Sequence, residues 1–492
     1  MEIKSENERL NMQIKSQTIK NLLWRFAERI TAQGVTLLVS IILARILEPA
    51  QYGLIAMVTV FVTIANVFVS DGFGLALIQK KDADALDYCS VLYFNIAFSL
   101  TLYAILFFAA PYIAAFYGEG YEILCPVLRV IGLRLLLTAV NSVQQAYVSK
   151  HMIFRKFFWA TSIGTVISAI VGIAMAYHGF GVWALVAQYL TNTTVDTLVL
   201  GISLHKRPRL LFSFSRLKGM LHFGSRVLLV SLIITGYEEM RALIIGKIYA
   251  ESDLAFYEKG RQFPKLIVTN VNSAVGSVLF PVMANEQDDL RRVKETARKS
   301  IRCASYCMSP LMLGLFAVSE TVVRVILTEK WLPCVPFLKM FCIYYLFQPV
   351  HSTNMQSIKA IGRGDVYLRL EIVKKVIELI VLLSVMRISV EAIALSMTVL
   401  ATLFMAVNAY PNKKLIDYSF SEQMKDVFPA VLMATIMLLA VRVVGLLPLP
   451  DIPLLLIQVL TGGAVYLTLS HVTNNPEYRY LLSVVRKPAS AQ

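Results

Sequence analysis

Long apolar runs broken by short polar segments set the rhythm of this chain. Between positions 21 and 472, apolar stretches of about 20–30 residues recur. At 1.5 Å per residue each can cross a hydrocarbon layer of ~30 Å as a helix. The pattern predicts spans over 21–47, 52–78, 88–117, 121–148, 157–177 and 182–203. It continues with 219–249, 254–283, 300–327, 331–358, 366–386 and 388–409, and ends with 428–447 and 452–472. The breaks carry turn chemistry: Glu48-Pro49, Gly118-Glu119-Gly120 and His178-Gly179-Phe180-Gly181 each stop one helix and start the next. The expectation is an all-α polytopic membrane protein of about fourteen helices. Its organisation reads as an arm (1–20), a first lobe (21–204), a linker (205–218) and a second lobe (219–410). A loop (411–427), two further spans (428–472) and a tail (473–492) follow. The linker is partly amphipathic, suited to the membrane surface.

The two lobes repeat. Shifted by 210 positions, Pro126, Leu128, Arg129, Leu136, Val140 and Ser142 fall on Pro336, Leu338, Lys339, Leu346, Val350 and Ser352. At a similar shift, Ile41-Ile42-Leu43-Ala44-Arg45-Ile46 falls on Leu243-Ile244-Ile245-Gly246-Lys247-Ile248. Repeats separated by an even number of spans share an orientation and relate by an axis along the membrane normal. The expected plan is two pseudo-symmetric lobes around a central cavity, the usual transporter arrangement.

Composition agrees: 57% of the 492 residues are hydrophobic and only 16% charged, against about 25% charged in a soluble domain. The net charge of +15 would suit nucleic acid, but its placement argues for membrane orientation. Lys80, Lys81, Lys150, Arg155, Lys156, Arg291, Arg292, Lys359 and Arg363 lie on loops of one side, whereas the opposite loops hold little beyond Lys330 and Arg387. This is the positive-inside bias, and it predicts both termini in the cytoplasm, with nucleic acid not needed. The polar arm reads as leading directly into the first span, without a cleavable signal. Six cysteines are scattered without a CxxC pair, which gives no metal or disulfide framework.

Charges inside the apolar runs are the candidate chemistry, because they are costly unless they face protein or water. In the first span Arg25, Glu28 and Arg29 share a helix face that Gln33, Thr36 and Ser40 extend; the alternative is that the arginines snorkel to headgroups. In the eighth span Glu258, Arg261, Lys265 and Asn272 form one stripe. Cations there suit a diphosphate, or Glu258–Arg261 is an ion pair that staples the helix. Glu238, Glu239 and Arg241 late in the seventh span form an outer gate or mark the interface. There is no GxxxxGK[ST] motif for an ATPase, and the external loops are too short to house an outer-face polymerase or ligase. A drug or cation exporter would require an acidic ion site deep in the first lobe, for which Asp71 is the candidate.

Three segments carry a family resemblance: LARILEPAQYGLIAMVTVF (43–61), DGFGLALIQKKD (71–82) and YEKGRQFPKLIVTNVNSAVGSVLFPVMANEQDD (257–289). Over essentially its full length the chain resembles the polysaccharide-transport branch of the multidrug/oligosaccharidyl-lipid/polysaccharide (MOP) exporters, in particular O-antigen flippases and colanic-acid-type exporters. The resemblance implies a MATE-like fold and outward movement of an undecaprenyl-diphosphate-linked oligosaccharide across the bacterial inner membrane by alternating access. Cavity arginines on the first, second, seventh and eighth helices would meet the diphosphate. It implies no cofactor beyond a coupling ion, and a monomer whose partners are the lipid-linked glycan, membrane lipids and polysaccharide polymerase machinery.

Overall fold

The computed structural model describes residues 33–70, 73–80, 82–204, 209–286 and 288–486. All regular structure among them is helical. The chain divides into two units, Met1–Ala255 and Phe256–Gln492. The first contains α1 (Gln33–Ile46), α2 (Pro49–Ser70), α3 (Phe73–Gln79), α4 (Ala85–Tyr117) and α5 (Leu124–Gly132). It continues through α6 (Arg134–His151), α7 (Phe154–Tyr177), α8 (Val182–Leu204) and α9 (Phe214–Ile248). Helix α10 (Glu251–Asn285) starts in the first unit and runs into the second. The second unit adds α11 (Leu290–Ile326), a 3-10 turn (Glu329–Cys334), α12 (Val335–Leu346), α13 (Gln348–Ala360) and α14 (Gly364–Val385). It ends with α15 (Val390–Leu415), α16 (Phe420–Val444), α17 (Asp451–Val472) and α18 (Pro476–Arg486).

Local chemistry fixes the helix starts. The Asp84 carboxylate accepts from the Asp87 amide at 3.0 Å while Asp87 reciprocates to the Asp84 amide at 3.1 Å, a capping box that begins α4. Ser419 and Glu422 do the same for α16. Pro336 and Pro349 stand in the first turns of α12 and α13, where a missing amide hydrogen costs nothing. Helices α7 and α8 form a tight hairpin whose turn uses left-handed Gly179 and Gly181 (φ 78° and 56°). A Cβ at Gly172 would stand 3.0 Å from the Gln188 Cβ, so the two backbones approach as only small residues allow.

Eight described helical stretches are long and apolar enough to cross a membrane. Helices α8, α9, α10 and α14 have comparable length, 22 to 35 residues, but carry polar interruptions. The 210-residue repeat is visible in the element bounds. Shifted by that amount, α7 (154–177) becomes 364–387 beside α14 at Gly364–Val385, and α8 (182–204) becomes 392–414 beside α15 at Val390–Leu415. Within the second unit the last pair, α16 and α17, packs on α11. Their shared core holds Met308, Met312, Met433 and Met437, and Tyr306 donates to Ser470 Oγ at 2.9 Å.

Candidate functional site

Arg25, Glu28, Arg29 and Asp71 lie outside the described residues. The remaining residues expected from sequence fall on α9 and α10. On α9, one helical turn places Tyr237 and Arg241 side by side: the Arg241 Nη2 donates to the Tyr237 hydroxyl at 2.6 Å, and its guanidinium carbon lies 4.6 Å from the ring centroid. Arg241 is buried, Glu239 is half-buried and Glu238 is exposed. On α10, Arg261 Nη1 lies 3.8 Å from Glu258 Oε1 three residues earlier, with 14% of the Arg261 side chain exposed. Lys265, one turn further, is exposed, and Asn272 is half-buried. The staple that the spacing allowed therefore exists, and Lys265 continues its stripe as an exposed cation. Lys259 on the neighbouring face is buried, 5.5 Å from the Trp331 ring centroid, and donates to Gln262 Oε1 at 3.2 Å.

Two further polar clusters sit inside membrane-length helices. In the second unit α14 carries Glu371, Lys374, Lys375 and Glu378, which close into two ion pairs: Lys374–Glu371 at 2.6 Å and Lys375–Glu378 at 3.0 Å. Beside them His351 of α13 and Asn408 of α15 are joined at 2.9 Å. In the first unit Asn141 Nδ2 of α6 donates to Asp196 Oδ2 of α8 at 3.0 Å, and the Thr161 hydroxyl of α7 to Asp196 Oδ1 at 3.4 Å. Arg134 Nε donates to the Thr193 hydroxyl at 3.0 Å one turn away. The repeat relates the clusters: 141 and 161 shifted by 210 are His351 and Glu371, and Asp196 falls two positions short of Asn408. Each repeat thus places polar groups on its corresponding three helices, a hydrogen-bonded carboxylate in the first and two lysine–glutamate pairs in the second.

These clusters are legible signals that the sequence reading passed over. Glu371, Lys374, Lys375 and Glu378 follow i, i+3, i+4 and i+7 on one helix face, and Asp196 is the only charge in α8. Arranged this way, the side chains can bind polar or anionic groups within an apolar surrounding. Among the described residues no three His, Cys, Asp or Glu side chains group as metal ligands. Outside the spans, the Arg363 fork holds the Asp365 carboxyl down at about 2 through bonds of 2.9 and 3.0 Å, at the threshold of α14.

The family described as "Polysaccharide biosynthesis protein" matches residues 42–336, the range that contains α9 and α10. The chain belongs to this family. A similar protein, the succinoglycan biosynthesis transport protein ExoT of Rhizobium meliloti (strain 1021), is 25% identical over 356 residues, 72% of this chain and 71% of its own. Among solved structures, the lipid II flippase MurJ in an inward closed conformation superposes with a TM-score of 0.76 at 15% identity, over 94% of this chain and all of that one. An inward-facing multidrug resistance MATE transporter of the MOP superfamily gives 0.60 at 15% identity, over 77% and 94%. The fold of this polysaccharide biosynthesis protein is therefore the all-α, multi-spanning MOP fold, as the resemblance implied.

Proposed function

We propose that the protein is a flippase that moves an undecaprenyl-diphosphate-linked oligosaccharide across the bacterial inner membrane. Family membership supports this, as does the transport role in the ExoT name, and the fold is one that serves a lipid II flippase. The observation that carries the reading is the placement of cations within a membrane-length helix: Arg261 and the exposed Lys265 on α10. A diphosphate entering an apolar medium requires matched donors, and cations kept inside a membrane at a cost imply an anionic partner. The protein is a transporter and not an enzyme.

In this proposal Arg261 and Lys265, with Arg25 and Arg29, neutralise the diphosphate while the lipid tail stays in the bilayer. The protein then alternates between access from the two faces, and Glu238, Glu239 and Arg241 act near the outer end of α9. Both termini are cytoplasmic and a single chain is the working unit. One charge-assisted hydrogen bond is worth about 1.5–3 kcal/mol, so Arg261→Gln with Lys265→Gln should lower flipping by roughly a hundredfold or more. The assay is complementation of a flippase-deficient strain, with membrane insertion checked by fractionation. Wild-type complementation by the inserted double variant would remove α10 from the substrate path.

A further inference from the structure

The segment 205–218 leads from α8 into α9 and carries five cations, Lys206, Arg207, Arg209, Arg216 and Lys218, with no carboxylate of its own. From Arg209 onward it is pinned to the start of α4. The Ser213 amide donates to the Ser90 hydroxyl at 2.9 Å, and the Tyr93 hydroxyl donates to the Arg209 carbonyl at 3.1 Å. Arg216 reaches Asp84 at 3.6 Å and Asp87 at 3.8 Å, and Asp87 also holds Lys80 at 2.6 Å. On the first two turns of α9, Leu217 and Met220 are buried in a core with Leu77, Val91 and Val143.

What this clamp leaves outward is apolar. Leu210 is 93% exposed, Phe214 69% and Phe212 55%, and Leu211 beside them is exposed too. Large apolar side chains displayed together by a fixed backbone mark an interaction surface. Arg209 and Lys218 stand exposed at its two ends, and Lys218 lies one turn from Phe214 on α9. The depth of the patch follows from α4, whose 33 residues make a helix of about 50 Å. Centred on a hydrocarbon layer of ~30 Å, such a helix projects about 10 Å beyond it at each end. Ser90 and Tyr93 lie about 8 and 12 Å in from the first residue of α4. The segment is therefore held at the boundary between headgroups and acyl chains, where aromatic rings and long basic side chains settle.

We propose that residues 209–218 form a docking surface for anionic phospholipid of the phosphatidylglycerol class. Leu210, Phe212 and Phe214 enter the acyl boundary, while Arg209 and Lys218 hold the phosphates. Depth and charge favour lipid over a protein partner, because a basic segment with aromatic residues at this level is attracted to anionic headgroups. Arg216 has a different role: Asp84 and Asp87 already meet its charge, and it fixes the segment to α4. The proposal rests on the multi-spanning fold and is independent of what the protein transports.

The test places p-benzoylphenylalanine at position 214 of the full chain. The protein is reconstituted in vesicles of equal phosphatidylglycerol and phosphatidylcholine with matched acyl chains, irradiated, and weighed intact. Lipid adducts should form, enriched in the glycerol lipid about fivefold or more, the worth of one cation near an anionic surface. The same photoprobe at position 233, an exposed site midway along α9, should capture the two lipids about equally. Arg209→Gln with Lys218→Gln should bring the ratio at 214 close to one while lipid adducts persist, which shows that the segment still meets the membrane. Arg216→Gln should leave the ratio unchanged. Cross-links from 214 to protein alone, whether this chain or a second copy, would overturn the proposal. So would a ratio no higher than that at 233, one that survives the double variant, or one that falls as far with Arg216→Gln.

Discussion

At the scale of single residues, the intramembrane charges divide into those that are paired and those that present themselves. Lys374 is buried against Glu371 at 2.6 Å, with side-chain exposures of 11% and 29%. Removing one member of such a pair strands the other, at a cost of about 3 kcal/mol or more, whereas replacing both by apolar groups is close to neutral. Lys374→Met alone should therefore lower thermal stability sharply, and Lys374→Met with Glu371→Leu should recover most of it. Equal destabilisation by single and double variants would show that the pair is not the unit that matters. The ladder of Glu371, Lys374, Lys375 and Glu378 could be read directly from spacing, as could the stripe from Glu258 to Asn272. The seat of Lys259 over Trp331 could not, because the partner is 72 positions away and only packing brings it near.

At the scale of elements, capping and close approach decide where helices run. Helix α10 crosses the start of α12 at Gly260, where a Cβ would stand 2.6 Å from the Phe337 Cβ, 2.8 Å from the Leu338 amide nitrogen and 2.9 Å from the Cys334 carbonyl oxygen. Two of these are backbone atoms that cannot swing aside, so Gly260→Ala should cost about 1–3 kcal/mol in a thermal unfolding measurement. An unchanged midpoint would mean that α10 can shift there freely. At the start of α14 the Asp365 carboxyl is held at about 2, below the ~3.9 of an unfolded chain, first by its bonds to Arg363. A depressed acid contributes stability above its unfolded value and loses it as pH falls toward the folded one. The first turn of α14 should fray between about pH 4 and pH 2, seen as faster amide exchange, and Arg363→Gln should remove most of that pH dependence. Helix positions and the 210-residue repeat were legible in apolar length and turn residues. The packing of α9 on α2, α3 and α4 was not, since an apolar face does not say which neighbour will cover it.

For the molecule as a whole, 57% hydrophobic residues in repeated long runs announced a multi-spanning protein, and the MOP fold agrees with that class. The substrate site is less legible, because the cost of a charge in a membrane marks it as purposeful without saying whether its purpose is a partner or a ligand. The central claim is transport of a lipid-linked glycan, and leaflet occupancy tests it most directly. In cells that lack their own flippase but still make lipid-linked repeat units, the fraction of units reachable by an impermeant label at the outer leaflet is measured with and without this chain. Expression should move the units outward, and the Arg261→Gln, Lys265→Gln variant should leave them inside. Units that stay on the inner leaflet across a panel of glycans, despite correct insertion, would contradict it.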